Sequence, residues 1–272
     1  MIDVHCHLNF HKFDSDVDDV IKDAYEKGVT TIVNTGTSIP SSRKTVELAQ
    51  KYENLYAIVG VHPHHADKSD IEFEGELHTE WLSELEKLAK MPKVIGIGEI
   101  GMDFWNYRTN GIVAEDLQED AFRKQIELSI KLSLPLQIHT RLAWDKTLSI
   151  LSDYKEQLLP VPGMFHCFSG SKEFAKKVLE MGFYTGFDGN ITYGGVPPGE
   201  STSLLDLIEY VPYDRILTET DSPFLSPQVV RGQRNTPANI PLILDFIAKA
   251  KGIAYNTLEA QIERNFHSVF SC

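Results

Sequence analysis

Two histidines one residue apart, His5 and His7, stand at the end of an apolar run that begins at Met1. On an extended strand, side chains at i and i+2 point the same way, so both imidazoles face one side and Cys6 faces the other. The corresponding end of later β-branched runs carries Glu99 in GIGEIGMDF, His139 in LQIHTR, His166 in MFHCFSG and Asp221 in LTETDSP. Each of these alone could cap a strand end, satisfy a core hydrogen bond or sit in solvent. Six at equivalent positions read as a metal-ligand set. Imidazole and carboxylate without thiolate suit Zn, Mn, Mg or Fe rather than a soft metal. Glu99 can bridge, which gives two divalent metal cations about 3.5–4 Å apart, a spacing that activates a water and clamps an ester. Asp221 is both a ligand and the natural acceptor for the proton of that water.

Five strand ends must be brought to one rim. Strand-like runs begin near Met1, Thr30, Leu55, Val94, Leu134, Val161, Phe183 and Arg215, about 31 residues apart on average, the length of a βα unit. Amphipathic runs between them predict helices over Asp14–Lys27, Ser41–Tyr52, Glu76–Lys90, Ala114–Leu132, Leu142–Leu158, Ser171–Met181 and Thr202–Tyr210, the first capped by Asp14 and stopped by Gly28. A polar loop, Leu225–Pro237, leads to two more, Ala238–Lys251 and Thr257–Phe270. The pattern predicts an α/β chain folded as one domain over residues 1–272, a single (β/α)8 TIM barrel. An open doubly wound sheet competes, but no glycine-rich phosphate turn follows the first strand. In a closed barrel, strands eight and one are neighbours opposite strands four to six. The ligands then split into His5, His7 and Asp221 facing Glu99, His139 and His166.

The same rim gathers groups suited to a substrate. His62 and His64, in the HPHH turn after strand three, are assigned to substrate or to ligand support, and His65 to solvent. Arg141 stands two residues past His139 on the same strand face, where its fork can take a phosphate or close a rim ion pair. Arg231 and Arg234 lie in the loop after strand eight. Trp105 and Tyr107 could stack on unpaired bases, at about 1–3 kcal/mol per base, while Phe104 serves packing equally well. Asp103 either orders a loop or holds a ligand histidine in orientation. Cys167 should face away from the ligands, and no Ser-His-Asp or Gly-x-Ser-x-Gly arrangement is present. Phe266 and His267 are expected to pack or cap.

Bulk properties narrow the partners. Apolar residues are 42% and charged residues 24% of the 272, which argues against disorder and against a coiled coil. No apolar run reaches ~18 residues, and MIDVHCHLNF lacks the form of a signal peptide, so no membrane is expected. Three cysteines, Cys6, Cys167 and Cys272, suit free thiols and a cytoplasmic location. No obligate protein partner is implied. With 39 acidic against 26 basic residues the net charge is -13, unsuited to a broad, sequence-blind face for duplex. Two divalent cations against two carboxylate ligands leave about +2 in the ligand shell. A small positive mouth in an acidic body favours one scissile phosphate or a frayed strand end over a long duplex track.

The motifs DVHCHLNF, GVHPHHA, IGEIGMDF, QIHTR, FHCFSG, TETDSPFL and RGQRNTP, taken in order and nearly end to end, make the chain resemble the TatD family of metal-dependent hydrolases, within the amidohydrolase-like barrels. That resemblance implies a divalent-metal-dependent nuclease acting on DNA ends or single-stranded DNA, with His5, His7, Glu99, His139, His166 and Asp221 binding metal. Two departures bear on substrate preference. The family's threonine, aromatic and lysine after strand seven read NITYGGVPP here, without the lysine, and the acidic stretch KSDIEFEGELHTE is longer than the family leads one to expect. Two other readings follow from the same residues. The centre could hydrolyse a carbon ester, lactone or amide, or a metal-loaded module could dock a protein without catalysis.

Overall fold

Eight short β-branched runs pair in sequence order into one parallel sheet: β1 Ile2–Cys6, β2 Thr31–Thr35, β3 Leu55–Val59, β4 Val94–Asp103, β5 Leu136–Arg141, β6 Gly163–Phe165, β7 Tyr184–Phe187 and β8 Ile216–Thr218. This computed structural model describes residues 1–67, 80–107 and 111–270. Helices cover the outside: α1 Val17–Glu26, α2 Ile39–Lys51, α3 Trp81–Ala89, α4 Glu115–Leu132, α5 Trp144–Asp153, α6 Lys172–Glu180, α7 Leu204–Tyr210, α8 Ile240–Lys251 and α9 Tyr255–Val269. The sheet closes where Cys6 bridges Ser222, His7 N–H donates to the Ser222 carbonyl at 2.7 Å and Asp221 N–H donates to the His5 carbonyl at 2.9 Å. It is a (β/α)8 barrel. No helix among the described residues is long and apolar enough to cross a membrane.

Apolar side chains fill two layers. Val4, Val33, Ile58, Met164 and Leu217 occupy the barrel interior, and Phe266 and Phe270 from the end of the chain pack with that cluster. A larger cluster lies between strands and helices and includes Cys6, so the side chain between the two histidines does point outward as alternation requires.

The element boundaries depart from the sequence pattern at informative places. Strand β4 runs to Asp103, four residues past Glu99, because the ladder shifts register between Ile97 and Ile100 against Leu136 and Ile138. Three residues there span two on the partner, a bulge that re-aims the side chains around Glu99. A like shift lies between Asp3 and Cys6, around His5. Asp14 does not cap α1: the chain first makes a 3-10 turn at His11–Phe13, and Asp14 pairs with Lys44 instead. The predicted seventh strand stops at Phe187, where the Asp188 carboxylate accepts from Asn190 N–H at 2.9 Å and starts a tight turn. Helix α5 ends at Asp153, five residues before the predicted end. Most of the acidic stretch, residues 68–79, lies outside the described residues, as does the start of the helix predicted from Glu76.

Candidate metal centre

The two bulges and the barrel closure gather the six sequence-predicted ligands in one buried cluster. Glu99 sits at its middle with its two oxygens facing different sets. Oε1 lies 2.9 Å from both His139 Nδ1 and His166 Nε2. Oε2 lies 3.7 Å from His5 Nε2 and 3.6 Å from His7 Nε2. Asp221 Oδ1 completes the second set at 3.6 Å from His5 Nε2 and 3.3 Å from His7 Nε2. The division expected from strand order is therefore present in space, with one carboxylate reaching both halves.

Hydrogen bonds on the outer side fix which nitrogen each ring turns inward. His5 Nδ1 donates to Gln137 Oε1 at 2.8 Å, His7 Nδ1 donates to the Thr35 carbonyl at 2.9 Å and His139 Nε2 donates to Asp103 Oδ2 at 2.9 Å. Each acceptor demands a proton on that nitrogen, so the opposite one presents a lone pair. His5 Nε2 and His7 Nε2 consequently face each other at 3.0 Å with carboxylate oxygens beside them. Two lone pairs so close repel unless a proton or a cation is shared there, and two inward nitrogens beside carboxylate oxygens form a donor set that fits a metal.

The charge pattern agrees. Burial alone would lower the His139 pKa, but hydrogen bonds to Asp103 and Glu99 lift it to about 9. His166 is raised for the same kind of reason, the Glu99 charge outweighing burial. Burial would raise Glu99, yet the surrounding imidazoles hold it well below the ordinary range. The carboxylates thus favour protons on His7, His139 and His166, while burial disfavours one on His5, and a divalent cation would compete for the same nitrogens.

Neighbouring side chains divide into those that reach this centre and those that do not. His62 accepts from His64 N–H through Nδ1 at 3.1 Å, so its proton is on Nε2, 3.4 Å from Glu99 Oε1. Burial lowers its pKa to about 3, which leaves it a neutral donor rather than a ligand with a free lone pair. His64 Nε2 comes within 3.2 Å of Asp103 Oδ2 without hydrogen-bond geometry. His65 is half-buried and bonds the Thr37 carbonyl at 2.8 Å, so it is not the solvated group expected. Arg141 lies with its guanidinium 4.2 Å over Trp105 and donates to Tyr107 OH at 2.8 Å, and the ion pairs among the described residues do not include it. Arg234 forks onto Asp16, with Nη1 3.0 Å from Oδ1, which engages it away from the cluster. Arg231 stays in the exposed loop after β8. Cys167 follows the end of β6, where strand alternation no longer applies. Burial and the nearby Asp188 charge push its thiol up, so it holds no nucleophilic thiolate.

Two supporting residues escaped the sequence reading. Gln137, two residues before His139 on the same face, orients His5 and is itself held by donating to the Val4 carbonyl at 2.8 Å. Glu219, two residues before Asp221, is fully buried, accepts from Cys167 N–H and stands 3.6 Å from His166 Nδ1. Gly186 makes room for it, since a Cβ there would lie 2.4 Å from Glu219 Oε2. The signal in both cases was i−2 spacing from a ligand.

Asp103 sets the His139 tautomer, so Asp103→Asn keeps the packing and removes the fixed acceptor. Metal affinity is expected to fall about 10–100-fold, with activity recovered at high metal concentration. Metal titration with a competing chelator checks it; unchanged affinity would detach Asp103 from the site.

A parallel barrel with this mouth of imidazoles and carboxylates defines a metal-dependent hydrolase. The chain belongs to the TatD family, whose TatD related DNase profile matches residues 2–271. It is 32% identical to the metal-dependent hydrolase YabD of Bacillus subtilis (strain 168), over 99% of this chain and 98% of that one. It is 31% identical to a 3'-5' ssDNA/RNA exonuclease TatD of Klebsiella pneumoniae (strain 342), over 99% and 97%. Among solved structures it is similar to the TatD homolog YjjV from Escherichia coli K12, with TM-score 0.85 and 26% identity over 100% of this chain and 98% of the other.

Proposed function

We propose that the protein cleaves phosphodiester bonds in single-stranded or frayed DNA ends, using two divalent cations that the two groups of side chains sharing Glu99 would hold. The carrying observation is the split of the Glu99 carboxylate between two imidazole pairs. When bound, the cations would activate a water and neutralise charge developing on the phosphoryl oxygens.

The side chains supply the rest. His5, His7 and Asp221 form one cradle, His139 and His166 the other, and Glu99 is shared. Asp221, with its side chain 14% exposed against 5% for Glu99, faces the mouth and is the group placed to accept a proton from the attacking water. His62 presents its Nε2 proton beside Glu99, where it can donate to a substrate oxygen. Arg141, held flat by Trp105 and Tyr107, offers a rigid fork to a phosphate, and the two rings offer faces to an unpaired base. Relatives named as 3'-5' ssDNA/RNA exonucleases at 31% and 32% identity support the nucleic-acid reading.

The test is metal analysis of the purified protein, then cleavage of end-labelled single-stranded DNA with Zn, Mn, Mg or Fe. About two metals per chain and stepwise shortening of the labelled strand are expected. Turnover of a lactone or amide with intact oligonucleotides would replace this reading by hydrolysis of a carbon ester or amide. Failure on every ester tested, with tight binding to another protein, would favour a docking module.

A further inference from the structure

Beside the metal centre, on the β8 and β1 side of the rim, runs a groove with a cavity of about 490 Å³, lined by Lys12, Tyr193, Leu225, Arg231, Gln233 and Arg234 among others. Ring contacts link its Lys12 wall to the cluster. Phe10 stacks on His7 at 4.5 Å, Phe224 meets Phe10 edge-on at 6.1 Å, and the Lys12 ammonium lies 5.1 Å over Phe224.

The charge of this groove runs against that of the molecule. The chain carries -13, yet the lining contributes three cations and no carboxylate. Arg234 is neutralised by Asp16. Lys12 and Arg231 enter no ion pair among the described residues. The Arg231 guanidinium lies 4.3 Å over the Tyr193 ring, and its side chain makes a long hydrogen bond, 3.3 Å to Gln228 Oε1. A guanidinium flat on an aromatic ring has its plane fixed and its N–H edge open, the arrangement that suits a phosphate fork. Tyr193 is held in turn by donating to the Ser226 carbonyl at 2.7 Å. Tyr193 and Phe224 add faces for a base.

We infer that this groove is a subsite for the nucleotide next to the scissile phosphate, with Lys12 and Arg231 holding its backbone phosphate and Tyr193 and Phe224 its base. The inference rests on the nuclease reading above. Contacts of this kind meet backbone and ring faces, so the subsite tolerates any sequence and has a short footprint.

Steady-state kinetics on a single-stranded oligonucleotide of about ten nucleotides and on bis(p-nitrophenyl) phosphate test it. The variants are Lys12→Ala, Arg231→Ala and Arg231→Lys, with Lys249→Ala removing the same charge from the exposed end of α8. Lys12→Ala and Arg231→Ala are expected to raise the oligonucleotide KM about tenfold each and leave its kcat within about twofold. They should lower the salt slope by about one per cation removed. Preference for the oligonucleotide over the small ester falls by the same factor, and Arg231→Lys regains part of it. An oligonucleotide KM that moves no further than in Lys249→Ala overturns the subsite while the nuclease reading stands. Wild-type protein that hydrolyses the small ester but cuts no oligonucleotide overturns both.

Discussion

Glu99→Gln is expected to yield a folded barrel that holds fewer metal ions and hydrolyses its ester at least about a thousandfold more slowly. Glutamine keeps the volume of a side chain that is 5% exposed and closely surrounded, so packing gives no reason for collapse. It removes a charge that both halves of the cluster share, 2.9 Å from two imidazoles through one oxygen and about as far as 3.7 Å from two more through the other. A unit charge pair near 4 Å is worth about 4 kcal/mol at an effective dielectric near 20, and each 1.36 kcal/mol lost from the transition state is about tenfold in rate. The carboxylate is held well below its ordinary range, so it is ionised throughout the working pH range and the neutral amide reproduces no natural state. Metal analysis and kcat, with thermal melts as the folding control, read the result. Full activity after metal is added back would overturn the bridging role proposed for Glu99.

What was legible beforehand and what was not divide along one physical line. His5, His139 and Arg141 follow from alternation within a strand, and eight β-branched runs at even spacing suffice for a parallel barrel. Glu99 was placed at a strand end by the same logic. The bulge between Ile97 and Ile100 is invisible in a pattern of alternating apolar residues and glycine, so the strand's continuation to Asp103 was missed. Gln137 reads as strand filler until the barrel closes and brings it to His5, which is 132 positions away. Glu219 is hidden in TETDSP because only folding shows that its partner is His166 rather than water. Arg234 looks like Arg231 in RGQRNTP. What separates them is Asp16, more than two hundred positions earlier, which neutralises one and leaves the other open. Local periodicity carries the candidate ligands; the groups that orient them depend on closure.

Asp221→Asn is expected to separate metal binding from the proton transfer proposed for this carboxylate. Asp221 follows β8 with φ 50°, in the left-handed region that asparagine tolerates better than most residues. Its backbone donates to the His5 carbonyl and accepts from Phe224 N–H, each at 2.9 Å, and these bonds survive the change. The amide oxygen can still face His5 and His7, and Glu99, His139 and His166 are untouched. Metal content should therefore stay close to that of the wild type, in contrast to Glu99→Gln. The amide cannot take a proton. Burial pushes the Asp221 carboxyl up, but the imidazoles of His5 and His7 beside it hold it below the ordinary range, which keeps it ionised. Removing a positioned acceptor costs about 10²–10⁴ in kcat, with KM little changed because the groove and the Arg141 shelf are intact. A kcat within about tenfold of the wild type, at equal metal content, would assign the proton elsewhere. A loss of metal in step with activity would make Asp221 a ligand and nothing more.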